Sequence, residues 1–99
     1  MGRPRNYWFG IVKREITTPA SQKNQNSNNT KRYNKAIKSA LEQTGALDRG
    51  TDRVKAIELI LINQTHTYTG ASLELHYSER LIQRWISDFI YLVGKKVGY

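Results

Sequence analysis

Between Ser78 and Arg84 the chain reads Ser-Glu-Arg-Leu-Ile-Gln-Arg, and the polar members of that run carry the chemistry that reads base-pair edges. An arginine can take guanine O6 and N7 together, a glutamine can take adenine N6 and N7, and a glutamate can accept from the cytosine amino group. A serine at a helix start, with the amides beside it, can hold a phosphate. Ser78, Glu79, Arg80, Gln83 and Arg84 are therefore the candidate base-reading set. The plainer alternative is that Arg80 and Arg84 are solvated, or pair with Glu79 and Asp88 at helical spacing.

These side chains need a rigid rod behind them. Ile82, Trp85, Ile86, Phe89, Ile90 and Val93 recur at three-and-four spacing, which predicts a long last helix capped by Ser78, with its apolar flank buried and Gly94 as its stop. Trp85 and Phe89 are expected in the core rather than as stacking platforms. Upstream, Thr67 or Thr69 caps a short helix reaching Leu75, and His76-Tyr77 forms a turn. The result is a helix-turn-helix over about 67–93, with Ala71 and Ser72 as its small positions. Leu75 and Tyr77 bracket the turn, and Ile82 and Trp85 are the anchors of the second helix. His76 stands where glycine is usual and is expected to need a positive φ.

Three more helices are expected before that unit. Trp8, Ile11, Val12 and Ile16 mark an amphipathic helix from Asn6, its cap, to Ile16, with Trp8 either stapling it to the core or offered to a partner. Residues 17–30, TTPASQKNQNSNNT, lack large apolar side chains and predict a polar linker that frees the first helix to move separately. Tyr33, Ile37, Ala40, Leu41 and Thr44 mark a helix from Lys31 to Leu47, ended by Gly45 or Gly50. Thr51 or Asp52 caps a third helix running to about Gln64, with Leu59 to Ile62 on a strongly apolar surface. The expected fold is all-α. It comprises a basic arm and amphipathic helix at 1–16, the linker, and a helical DNA-binding domain at 31–99.

The 99 residues include 16 Lys or Arg and 8 Asp or Glu, a net charge of +8. Residues 1–50 hold ten of those cations against three acids, so the upstream half supplies most of the attraction to a polyanion. Arg3, Arg5, Lys31, Arg32, Lys35 and Lys38 are the candidate phosphate contacts. With no cysteine, disulfides and thiolate metal sites are excluded. His66 and His76 have no carboxylate at ligand spacing, so no metal is expected, nor any other cofactor. The acids Glu42, Asp48, Asp52, Glu58, Glu74, Glu79 and Asp88 are scattered, and no Gly-rich phosphate loop or serine triad is legible, so no catalytic residue is expected. The N-terminus lacks the apolar region of a secretory signal and no span is long enough for a bilayer, which leads us to expect a cytoplasmic protein without a membrane partner.

The stretch TYTGASLELHYSERLIQRWISDFIYLV resembles the helix-turn-helix of the fourth conserved region of bacterial sigma factors. With Ser78-Glu79-Arg80, the Gln83-Arg84 pair and the NYWFGIVKREI opening, the chain more closely resembles small phage late-operon activators of the ArpU and RinA type. His76 departs from the sigma-like pattern. The resemblance implies a phage or prophage transcriptional regulator that binds double-stranded promoter DNA and touches RNA polymerase. Two alternatives stand beside it: a small-terminase-like DNA-packaging protein, or a polymerase-contacting module of weak DNA affinity acting through the Trp8 helix. The apolar surplus in the third and fifth helices is compatible with a homodimer.

Overall fold

The computed structural model describes residues 7–18 and 28–99 of the chain. Arg3, Arg5, the Asn6 cap and most of the 17–30 linker lie outside the described residues. Among the described residues there are five α-helices and no strand: α1 (Phe9–Thr17), α2 (Asn28–Gly45), α3 (Gly50–Ile57), α4 (Tyr68–Leu75) and α5 (Glu79–Val97), with a π-helical turn, Glu58–Ile62, continuing α3. The all-α expectation is met.

α5 is the axis on which the other helices pack. Its stripe of Ile82, Trp85, Ile86, Phe89, Ile90, Val93 and Val97 is buried, and it meets side chains from each of the other helices. Burying each of these aliphatic or aromatic groups contributes about 1.5–3 kcal/mol. α2 lies antiparallel to α5. Its first turn meets the last turn of α5, where the Arg32 guanidinium donates to the Val97 carbonyl, and its last turn lines a groove with Trp85, Asp88 and Phe89. The small side chains of Ala36 and Ala40 on its buried face let the two helices lie close. Tyr33, on the same face, is 3% exposed. Burial, and then a hydrogen bond with the Tyr99 hydroxyl, push its phenol up to about 12.

Three expectations require correction. The first concerns α1, which is not a separate helix. Trp8, Phe9, Val12 and Ile16 belong to the same buried cluster as α2, α3 and α5, and the Gln64 side-chain amide donates to the Thr17 carbonyl at 2.6 Å, tying the end of α1 to the loop after α3. Trp8 stacks on Tyr99 (5.5 Å, 11°) and meets the edge of Tyr91 (5.3 Å). Of the expected stripe, Ile11 is 47% exposed, and Phe9 takes an inward place instead.

The second correction is at the ends of α5. Gly94 does not stop the helix, which runs three residues further to a left-handed Gly98. Gly94 is buried under the Trp8 indole, and a Cβ there would sit 2.3 Å from Trp8 Cζ3. Its missing side chain makes room for the indole, a packing role that outweighs its poor helix propensity.

The third is the start of α3. Neither Thr51 nor Asp52 caps it; the residue before the helix is Arg49, in the left-handed conformation at φ 56°, and no side chain caps it. Asp52 is taken by another partner, the Tyr77 hydroxyl. Gly50, whose added Cβ would lie 2.1 Å from the Gly45 carbonyl oxygen, lets α3 begin directly against the end of α2. The π turn then puts Leu61 in the core and leaves Ile62 exposed, so most of the apolar surplus of the third and fifth helices is absorbed within one chain.

Candidate nucleic-acid interface

Two helix starts and the turn between them set the geometry. The Thr67 hydroxyl accepts the Gly70 amide at 3.1 Å and opens α4, and the Ser78 hydroxyl accepts the Leu81 amide at 3.2 Å and opens α5. α4 ends at His76, left-handed at φ 62° as its sequence context predicts. The Tyr77 amide then reaches back to the Ser72 carbonyl at 3.2 Å, and the Ser72 hydroxyl donates to the Tyr77 carbonyl at 2.6 Å. These two bonds close the turn on itself. Ala71 is fully buried, where α4 crosses α5, and Leu75 and Tyr77 pack from either side of the turn.

Tyr77 fastens this turn to α3. Its ring packs edge-on against Trp85 at 4.9 Å, and its hydroxyl donates to the Asp52 carboxylate. That bond first, and then desolvation, raise the phenol above its ordinary range. The start of α5 is thereby held from two directions, by the α4 turn and by α3.

The five candidate base-reading residues all emerge into solvent on the leading half of α5. Their roles differ. Ser78 spends its hydroxyl on the cap, leaving the first amides of the helix for an anion. Glu79 accepts from the Thr69 hydroxyl at 3.0 Å through one carboxylate oxygen. Arg80 and Arg84 lie on the side of α5 opposite its buried stripe, with Gln83 beside them. Neither Arg80 with Glu79 nor Arg84 with Asp88 forms an ion pair; the one carboxylate salt bridge among the described residues is His66 with Glu74, at 2.9 Å. Ser78, Arg80, Leu81 and Arg84 together line an open concavity.

That His66–Glu74 contact revises the reading of His66 as lacking a carboxylate. The fold closes an eight-residue separation, and the Thr65 hydroxyl meets the other ring nitrogen at 2.9 Å. Among the described residues no three His, Asp or Glu side chains converge as a metal site.

Of the candidate phosphate contacts, Lys31, Arg32, Lys35 and Lys38 are exposed on α2. The antiparallel packing carries the start of α2 to the trailing end of α5, away from Arg80 and Arg84. The cations that do flank the leading half are Arg49 and Arg53, which sequence reasoning missed. Arg49 lies over the Tyr77 ring at 5.6 Å and Arg53 over the Trp85 ring at 5.5 Å, and the Arg53 Nε donates to the Asp48 carbonyl at 2.9 Å. Each such stacking contributes about 0.5–1 kcal/mol at a partly exposed site and fixes the direction of the guanidinium. The available signal was two arginines one helical turn apart at the start of α3, with Tyr77 and Trp85 as their platforms; only contact across the chain links the two pairs.

Trp8, 7% exposed, staples α1 to the core. No helix among the described residues is long and apolar enough to cross a membrane. Comparison of the chain with family models, with curated proteins and with solved structures finds no match.

Proposed function

We propose that this chain is a sequence-specific double-stranded-DNA-binding regulator of phage or prophage transcription, acting in the cytoplasm as a sigma-like helix-turn-helix. In this reading the leading half of α5 enters the major groove. The observation that carries it is the outward set of Glu79, Arg80, Gln83 and Arg84 on a helix whose start is anchored twice. The ten residues from Glu79 to Asp88, bare on one side only, span about 15 Å, long enough to lie in a groove that is about 12 Å wide. Arg49 and Arg53, aimed by their aromatic platforms, supply phosphate contacts on the flank, and the +8 charge supplies general attraction. The resemblance to late-operon activators adds contact with RNA polymerase.

Fluorescence anisotropy on duplexes tiled across the gene's upstream region, repeated over a salt series, tests this. A preferred duplex bound roughly 10³-fold or more tighter than its scrambled version is expected. Equal affinity for both would remove the specificity. Absence of duplex binding at low salt would remove the reading altogether.

A further inference from the structure

The trailing end of the molecule carries a basic groove of its own. Arg32, Lys35, Ala36 and Ser39 on α2 and Lys96 on α5 line one open depression, three cations and a hydroxyl around a small apolar floor. Lys31 and Lys38 are exposed on the same helix, and Lys95 next to Lys96. None of these cations has a carboxylate within ion-pair distance among the described residues. Arg32 is held in place by its bond to the Val97 carbonyl, which fixes one wall of the groove.

Its position relative to the leading half of α5 is set by helix geometry. The twelve to sixteen residues between Lys96 and the pair Arg84 and Arg80 amount to roughly 18–24 Å along the axis and roughly 120–160° around it. A straight duplex lying on the Arg80 and Arg84 side therefore faces away from Lys35 and Lys96. Closely spaced cations with a hydroxyl, none of them held in an ion pair among the described residues, suit a row of phosphate oxygens.

We infer that the groove of Arg32, Lys35, Ser39 and Lys96 grips the sugar-phosphate backbone of a second duplex segment, so that one copy of the chain joins two stretches of DNA. The inference rests on the proposed DNA-binding function. It assigns the α2 cations to a separate, sequence-blind task instead of to the duplex read by α5.

A two-duplex capture experiment tests it with the full chain. One duplex carrying the preferred site is immobilised, a second, labelled duplex of unrelated sequence is added, and retention of label is measured beside anisotropy on a single short duplex. Lys35 and Lys96 are exposed and make no described hydrogen bond, so K35E/K96E is expected to fold, as a thermal melt checks. The wild type should retain the second duplex. K35E/K96E should lose roughly ten-fold or more of that retention, with a shallower salt dependence, while single-duplex affinity falls by several-fold less than retention does, by the share that the lowered net charge takes from general attraction. Retention by K35E/K96E equal to wild type overturns the inference. So does an equal loss of single-duplex affinity, which would put both faces on one duplex. Tight single-duplex binding by the wild type without any capture sinks the inference and leaves the proposed function standing, whereas no single-duplex binding at all sinks both.

Discussion

The two halves of α5 share a sequence pattern and differ in what covers them. On the side opposite the buried stripe, Arg80, Arg84 and Tyr91 follow one another at helical spacing. Arg80 and Arg84 point into solvent, whereas Tyr91 meets Trp8 at 5.3 Å and Phe9 at 5.2 Å and is half-buried under α1. The leading half is a rod with one side bare, and the trailing half is a rod wrapped by α1, α2 and Tyr99. The boundary is drawn by α1, and α1 can dock only because Gly94 leaves room for the Trp8 indole. The bare face is thus defined as much by the helix that covers the rest of the rod as by its own residues.

Removing the cover should have the largest effect. Trp8→Ala deletes a buried indole that packs on Gly94, Tyr91 and Tyr99, at a cost of about 3–5 kcal/mol in chemical denaturation. Hydrogen exchange should then quicken on α1 and on the trailing half of α5 before the α4 turn. Uniform quickening along α5 would mean that the two halves are one unit. The converse variant, R80A/R84A, strips the bare side. In the proposed reading, two bidentate base contacts at about 1–3 kcal/mol each predict a loss of roughly 30-fold or more in affinity for the preferred duplex. The same variant should leave thermal stability within about 0.5 kcal/mol, as for other exposed substitutions. A melt that falls while affinity holds would make these arginines structural.

The covered half also has a pH signature. The Tyr33 phenol, with its folded pKa raised to about 12, contributes stability that is complete below the ordinary tyrosine value near 10 and is lost as pH rises towards 12. Two units correspond to about 2–3 kcal/mol, so the wild-type melting temperature should fall more steeply than that of Tyr33→Phe between pH 10 and 12. Parallel curves would show that the buried phenol ionises no differently in the folded chain. The smallest effect belongs to the cap of the bare half. Ser78→Ala should cost about 1 kcal/mol, with faster exchange at the Leu81 amide and little change on α1.

How far each half was legible follows from the range of the forces that shape it. The leading half is built from local bonds. Thr67 and Ser78 each accept an amide three residues on, and His76 adopts the left-handed turn its position calls for, so a reader of the chain can place the Ser78 cap and the turn, and narrow the other cap to Thr67 or Thr69. The outward placement of Arg80, Gln83 and Arg84 follows from the period of the buried stripe beside them. The trailing half is built from distant contacts. Gly94 reads as a helix stop until Trp8, 86 positions earlier, is seen against it. The leading half has one such surprise of its own, at Asp52, which reads as a cap until Tyr77 claims its carboxylate.

The sequence by itself determined that the chain is helical, where the α4 turn falls, and which polar side chains the last helix carries outward, because hydrophobic period and capping act over three or four residues. Tertiary structure alone decided that α1 belongs to the core and that the α2 cations gather with Lys96 at the far end of α5. It also decided that Arg49 and Arg53 stand beside the leading half. Those outcomes depend on which helices pack antiparallel and which glycine admits which ring, and no local pattern encodes a distance between residues dozens of positions apart.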